Sequence, residues 1–558
     1  MSDKEMTADK EMQAASVDVL SLKSGNSPAA APTNEDAKFG TTSASHRSLE
    51  SYHVNLFALG ASIGTATFVY IGSGLTQAGP LGLLLGYAWW TSVIYCIAMC
   101  QMEMVVFWPT DVAFSRNASR YIDEAWGFAV GWAFWSNEIA VTAYEVTAFT
   151  IVLDYWPAAS NVNPAVYIAV ILAAYYVFNV WDTRWFGNAE FGFSLAKVIL
   201  SFALLAFTFV TMVGGNPLHD RFGFRFWRDP GVFTSPHPEH GANLGRFEGF
   251  LAAANNAAFT IAGPEFLTII AGETKNPRKV MPKAFRAVFW RLILFFIGGA
   301  LCVGILVPYN SPELLGAIAA NASGAGKSPY VIAMNRLQIR VLPSILNAVI
   351  LASVFSAGNA YYMAASRALA SMARDGHAPK IFGRRNRNGV PYVAVTTVAI
   401  FTLISFCQSA SSAVIALTWL TSIVTASGLM LTCTYAFTWI KFNNALSAQG
   451  FSRDRLPARS RLLPYGAYYA LGSALFVLFE QGYGVFLKGQ WNSDSFIYSY
   501  LSVAVLPCLF LGWKLLKKTK WHRAADVDLD SYINDPAFDE NPDEPPAKLQ
   551  HRILKRIF

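Results

Sequence analysis

Long apolar blocks alternate with short polar connections along almost the whole chain. Stretches such as 198–213 and 292–307, taken with their flanks, run for eighteen or more residues with few charges. A helix in a soluble core needs one apolar stripe, whereas a helix facing lipid must be apolar nearly all round. The pattern therefore predicts an all-α membrane protein with about twelve transmembrane helices. Their windows are 53–77, 81–107, 125–154, 164–181, 188–213, 247–271, 286–308, 341–372, 391–408, 412–441, 466–487 and 497–517, here called spans 1 to 12. Spans 3, 8 and 10 exceed the ~20 residues that a crossing needs, so they are expected to tilt or protrude.

Composition agrees: 54% of the 558 residues are hydrophobic and 14% charged, where soluble domains carry about 25% charged residues. The net charge of +7 raises the question of a nucleic-acid partner, but its distribution excludes one. Lys and Arg concentrate in alternate connections: Arg116 and Arg120 after span 2, Arg184 after span 4, Lys275 to Lys283 after span 6, Arg374 to Arg387 after span 8, and Arg453 to Arg461 after span 10. That is the positive-inside pattern of a multi-pass protein with both termini in the cytosol. The loop 214–246 carries arginines on the other side, where a long loop weighs less. Residues 1–50 are polar, with no apolar core for a cleavable leader, and are expected to form a disordered cytosolic tail. Residues 51–518 make up the transmembrane domain and 519–558 a cytosolic C-terminal tail, whose acidic stretch 524–547 reads as disordered. The six cysteines fall in apolar spans without metal-ligand spacing and read as small buried hydrophobes.

Two spans contain helix-breaking residues at matching depth. In span 1 the run is Gly60-Ala61-Ser62-Ile63-Gly64-Thr65-Ala66-Thr67, and in span 6 it is Ala258-Phe259-Thr260-Ile261-Ala262-Gly263-Pro264-Glu265. Glycine costs a helix about 1 kcal/mol relative to alanine, and proline removes a backbone donor. Gly and Pro also serve close packing in membrane helices. The matched pair fits a five-plus-five inverted repeat with discontinuous helices 1 and 6 around a central site. Freed N–H groups there would hold a carboxylate and freed carbonyls an ammonium.

The motifs LFALGASIGT, SGLTQAGPLGLLLGY, ASRYIDEAWGFAVGW, NPRKVMPKAFRAVFWR and GVPYVAV, with the long run from SPYVIAMNRLQIR to MARDGHAPK, resemble those of fungal amino-acid permeases of the amino acid–polyamine–organocation superfamily. The resemblance runs from about His53 to Leu529. The stretches MVGGNPLHDRFGFRFWRDPG and AFTIAGPEF are similar to a branch with carnitine- and polyamine-linked members. Alanine stands at two positions where the family's span 1 motif has glycine, and the span 6 motif lacks the usual Ser and Thr hydroxyls. The resemblance implies a proton-coupled secondary transporter that imports amino acids or related cationic amines across the plasma membrane. The paired breaks place the expected substrate contacts at Ala61, Ser62, Ile63, Gly64, Thr65, Phe259, Ala262 and Gly263, while Glu265 either ligates the substrate ammonium or caps freed backbone groups as a gate element. The resemblance supports a proton-linked role for Lys197.

Charged side chains inside the bilayer cost about 2.5–3.5 kcal/mol each on insertion scales, so each needs a reason. Lys197 lies mid-way along span 5, either as a titrating group or as the fixed partner of a carboxylate. Glu138 and Glu145 in span 3 are seven residues apart and share a helix face, which drifts only ~20° per heptad. Beside Phe134, Trp135 and Tyr144, Glu138 suits the positive charge of a substrate, while Glu145 suits proton coupling or a structural pair with Lys197. No phosphate loop, G-x-S-x-G or His/Cys metal spacing appears, so neither an enzyme, a cofactor nor a bound metal is expected. The expected partners are a small amine or amino acid, protons and the lipid bilayer, with ubiquitin-ligase machinery on the tails. Two alternatives remain open: a carnitine or polyamine permease, and a receptor-like homologue that binds without transporting.

Overall fold

The computed structural model describes residue 54 and residues 64–181, 183–261, 264–319, 328–409 and 413–529. Each of the twelve apolar windows holds helix among these residues. Among the described residues, seven helical stretches are long and apolar enough to cross a membrane by length and composition. One of them, Ala66–Phe107, contains the end of span 1 and all of span 2. The other windows (spans 3, 6, 9 and 11) are shorter, broken, or carry polar side chains into the protein interior. Span 3 is Glu124–Leu153, span 5 Thr183–Met212, span 8 Leu342–Arg374 and span 10 Ala413–Ala448. Span 7 starts earlier than expected, at Pro277, because proline at the first turn needs no donor.

Apolar residues divide between a packed interior and a lipid face. The most apolar window of span 12 is 11% buried, whereas that of span 10 is 78% buried. Span 12 is therefore peripheral and span 10 central. Span 6 packs along span 2, and span 8 packs along span 3. Span 3 starts at Asp123, whose carboxylate accepts a hydrogen bond from Ala125 N at 2.8 Å and is paired with Lys514 of span 12. Cys96, Cys100, Cys302 and Cys433 are buried as expected, but Cys407 and Cys508 are exposed. The correction follows from their helices, which turn apolar faces outward.

Spans 1 and 2 meet at Gly79, which has φ +74° and ψ 172°, a region open almost only to glycine. The loop 214–246 crosses here: Leu81 N donates to Val232 O at 3.0 Å and Thr234 N to Ala78 O at 3.2 Å. A Cβ on Gly79 would lie 2.8 Å from Val232 O and 2.9 Å from Phe233 Cα. Both obstacles are backbone atoms. Gly79→Ala is therefore expected to cost about 1–3 kcal/mol from backbone strain, seen as a lower thermal midpoint of the detergent-solubilised protein.

The start of the acidic C-terminal stretch is ordered, contrary to the disorder expected from residue 524 onward. His522 N donates to Ile122 O at 2.8 Å, and Gln449 Nε2 donates to Ala524 O at 3.1 Å and to Val527 O at 2.6 Å. Asp528 pairs with Arg120 at 3.2 Å. Val527 and Leu529 are buried, so an alternation of apolar and acidic residues anchors the segment beside a basic loop.

Candidate functional site

The helix of span 6 breaks where its sequence predicts. Ala242–Thr260 ends at Ile261, which is extended (φ −100°, ψ 97°), and helix resumes at Pro264–Ile269. In span 1, Gly64 is non-helical, Thr65 is helical, and Ala66–Tyr70 forms a π-helical turn, a feature frequent at functional sites. Ala61, Ser62 and Ile63 lie outside the described residues, as do Ala262 and Gly263.

A cavity opens between the two breaks and spans 3, 8 and 10. Of the residues singled out in the sequence, Gly64, Glu138, Glu145, Phe259 and Glu265 line it, with Trp90, Phe134, Tyr144, Tyr361 and Tyr435 as aromatic walls. Thr65 stands just behind the wall and donates from Oγ1 to Glu145 Oε2 at 2.6 Å, tying the span 1 break to span 3. Gly64 is pressed against the same carboxylate: an added Cβ would meet Glu145 Oε1 at 2.4 Å.

Glu138 accepts a hydrogen bond from Asn137 Nδ2 at 3.3 Å on Oε1. Its Oε2 is buried with no hydrogen-bond partner, on a side chain only 2% exposed. Glu138 and Glu265 interact electrostatically, and Tyr361 and Tyr435 each lie within electrostatic reach of both. Two unit charges 4 Å apart repel by about 4 kcal/mol at an effective dielectric constant of 20. A cavity holding several carboxylates therefore favours a cation or a proton. On its wall, the Phe259 ring stands edge-on to Tyr70 and Tyr144, at 5.0 and 4.9 Å between centroids.

Lys197 is not on the cavity wall. It is buried behind it, 1% exposed, and interacts electrostatically with Glu190 and Glu145. Glu190 escaped the sequence analysis, although its signal was present: it precedes Lys197 by seven residues, the same-face spacing that drew attention to Glu138 and Glu145. Tyr361 and Tyr435 were also missed, because a tyrosine within an apolar span looks the same whether it faces lipid, core or ligand.

The other polar residues of the spans bridge helices. Asn256 Oδ1 accepts from Tyr87 Oη at 2.7 Å while its Nδ2 donates to Tyr70 O at 3.0 Å, joining spans 1, 2 and 6. Asn255 Nδ2 donates to both Glu480 oxygens, at 3.2 and 3.0 Å. Glu103 is fully buried and accepts from Trp439 Nε1, Arg453 Nη2 and Ser460 N at 3.0, 2.7 and 2.8 Å. Among the described residues no group of three His, Cys, Asp or Glu side chains is placed to hold a metal ion.

The chain matches the family described as amino acid permease over residues 53–525. It is 40% identical to the general amino acid permease AGP2 of Saccharomyces cerevisiae, over 86% of this chain and 80% of that one. It is 35% identical to the lysine-specific permease of the same organism, over 87% of this chain and 78% of that one. In fold it is similar to a solved variant of the manganese transporter of Eremococcus coleocola, with a TM-score of 0.51 at 16% identity, covering 84% of this chain and 94% of that one. The spans, the broken helices around an internal cavity and the match across nearly the whole membrane region agree: the chain is a multi-pass transport protein belonging to the amino acid permease family.

Proposed function

We propose that this transporter imports an amino acid or related amine of net positive charge across the plasma membrane, driven by protons, through alternating access at the cavity between spans 1 and 6. The observation that carries the reading is the cavity's charge and lining: Glu138 and Glu265 within aromatic walls, with one Glu138 oxygen unpartnered. Aromatic faces and carboxylates together bind ammonium groups. Glu145, held by Thr65, and Lys197 are the groups assigned to proton coupling. Gly64 and Phe259 frame the substrate, and the assignment of Ala61, Ser62, Ile63, Ala262 and Gly263 to its cradle rests on the sequence. Both tails lie in the cytosol in this reading, where lysines such as Lys4, Lys10, Lys23 and Lys38 offer sites for ubiquitin-dependent removal from the surface.

Uptake into proteoliposomes under an imposed pH gradient tests this directly. Accumulation of a cationic substrate that collapses with the gradient is expected; binding without accumulation would leave a receptor-like protein instead. The side chain assigned to the substrate's charge has its own test. Glu138→Gln is expected to raise the KM for dicationic or quaternary substrates about tenfold or more, the scale of one desolvated ionic contact, and to change neutral amino-acid uptake much less. Equal losses for both classes would make Glu138 structural. The two carboxylates favour a diamine or quaternary amine as a second reading, and competition between lysine, carnitine, spermidine, leucine and glutamate ranks these classes.

A further inference from the structure

Behind the cavity lies a buried polar cluster that shares Glu145 with the cavity wall and continues away from it. It holds one cation and two carboxylates: Lys197 interacts electrostatically with Glu145 on one side and Glu190 on the other. Glu190 is 3% exposed. Ser356 Oγ of span 8 donates to its Oε1 at 2.8 Å, and its Oε2 is buried with no hydrogen-bond partner. Tyr175 of span 4 stands within electrostatic reach of both carboxylates, and its hydroxyl has no hydrogen-bond partner. Asn179 on the same span is occupied elsewhere, donating to Asn359 Oδ1 at 2.7 Å. With all three groups ionised the cluster carries one uncompensated negative charge, which costs several kcal/mol in a dry interior. The coupling proton removes it for as long as the cluster holds it.

Direction comes from the helix. Seven residues at 1.5 Å each place Glu190 about 10.5 Å along span 5 from Lys197, toward the end that begins at Thr183. The loop charges assign that end to the cytosol. Glu145, by contrast, lines the substrate cavity.

We propose that Glu190 is the inward acceptor of the coupling proton, receiving it from Lys197 and releasing it to the cytosol. The inference rests on the proton-coupled reading above. A proton entering with substrate protonates Glu145. Lys197 passes its own proton to the Glu190 carboxylate, becoming a neutral amine beside a carboxylic acid, and Glu145 then returns a proton to the amine. Glu190 loses its proton to cytosolic water and is again a carboxylate. One proton has crossed and every group is restored. Ser356 acts as a positioning residue, since its hydroxyl stabilises the charged form of Glu190.

The test uses the full-length protein in proteoliposomes, with labelled lysine as probe, and compares two modes. Net accumulation driven by a pH gradient requires proton release inside, whereas lysine–lysine exchange requires no net proton movement. For Glu190→Gln, accumulation is expected to fall at least about tenfold further than exchange, with partial recovery in Glu190→Asp. Ser356→Ala, which leaves the carboxylate in place, is expected to raise the lumenal pH of half-maximal accumulation by about one unit, the scale of one lost hydrogen bond to a charged group. Equal losses in both modes without recovery by Asp, or an unmoved pH profile in Ser356→Ala, would overturn the proposal. If the wild type itself shows no gradient-driven accumulation, the proton-coupled reading fails along with it. Wild-type coupling with an unaffected Glu190→Gln defeats this inference alone.

Discussion

Replacing Asp375 with alanine is expected to destabilise the protein by about 3–5 kcal/mol, the usual cost of stranding one member of a buried ion pair. Asp375 receives two parallel hydrogen bonds from Arg116, Nε to Oδ2 at 3.0 Å and Nη2 to Oδ1 at 2.9 Å. Both side chains are almost fully enclosed, at 1% and 4% exposure. The fork geometry suits guanidinium and carboxylate in particular, so the alanine variant leaves a fixed cation in a nearly dry site. Arg374 to Asp111 at 3.2 Å and the pair of Arg367 with Glu273 lie in the same region. These contacts tie the short helix Ala113–Tyr121 and the segment after span 6 to the end of span 8. The thermal midpoint in detergent reads the effect. A double variant, Arg116→Met with Asp375→Leu, should recover much of the loss, because removing both charges also removes the stranded one. An unchanged midpoint in the single variant would show that water reaches the pair.

The second large effect is expected at Lys197. Lys197→Ala leaves Glu145 and Glu190 buried without their shared cation, so it is expected to lower stability by about 3–5 kcal/mol and, with no amine left to hand on a proton, to abolish gradient-driven uptake. Lys197→Arg separates the two roles that the sequence leaves open. Guanidinium stays protonated at any accessible pH, so it preserves a structural charge but cannot hand on a proton. If Lys197 titrates during transport, the arginine variant should keep its thermal midpoint close to wild type and still lose gradient-driven accumulation. Full accumulation by Lys197→Arg would make this residue a fixed counter-charge and move proton coupling to the carboxylates.

How much of this was legible in advance follows from the physics of each feature. Twelve helical windows could be read because lipid imposes an all-round apolar surface, a property of each segment by itself. The span 6 break was legible for the same reason: Gly263-Pro264 prevents regular helix wherever it stands, and the helix stops at Thr260 as that requires. Glu138, Glu145 and Lys197 stood out because charge inside an apolar window is costly and therefore conspicuous. Glu190 carried the same seven-residue signal relative to Lys197 within the span 5 window, but its hydrogen bond with Ser356 on span 8 could not be read from its own segment.

Tertiary structure alone decided which of these residues meet. Gly64, Glu138, Glu145, Phe259 and Glu265 come from three spans and converge on one cavity, whereas Lys197 lies behind it. Likewise, Tyr361 and Tyr435 became cavity walls and Val527 and Leu529 became an anchor only through their neighbours. The local pattern determined membrane class, span order and the places where helix fails, because those follow from burial and backbone chemistry within one segment. Helix pairing and rotation determined the site, because a side chain's partners depend on faces brought together from distant parts of the chain.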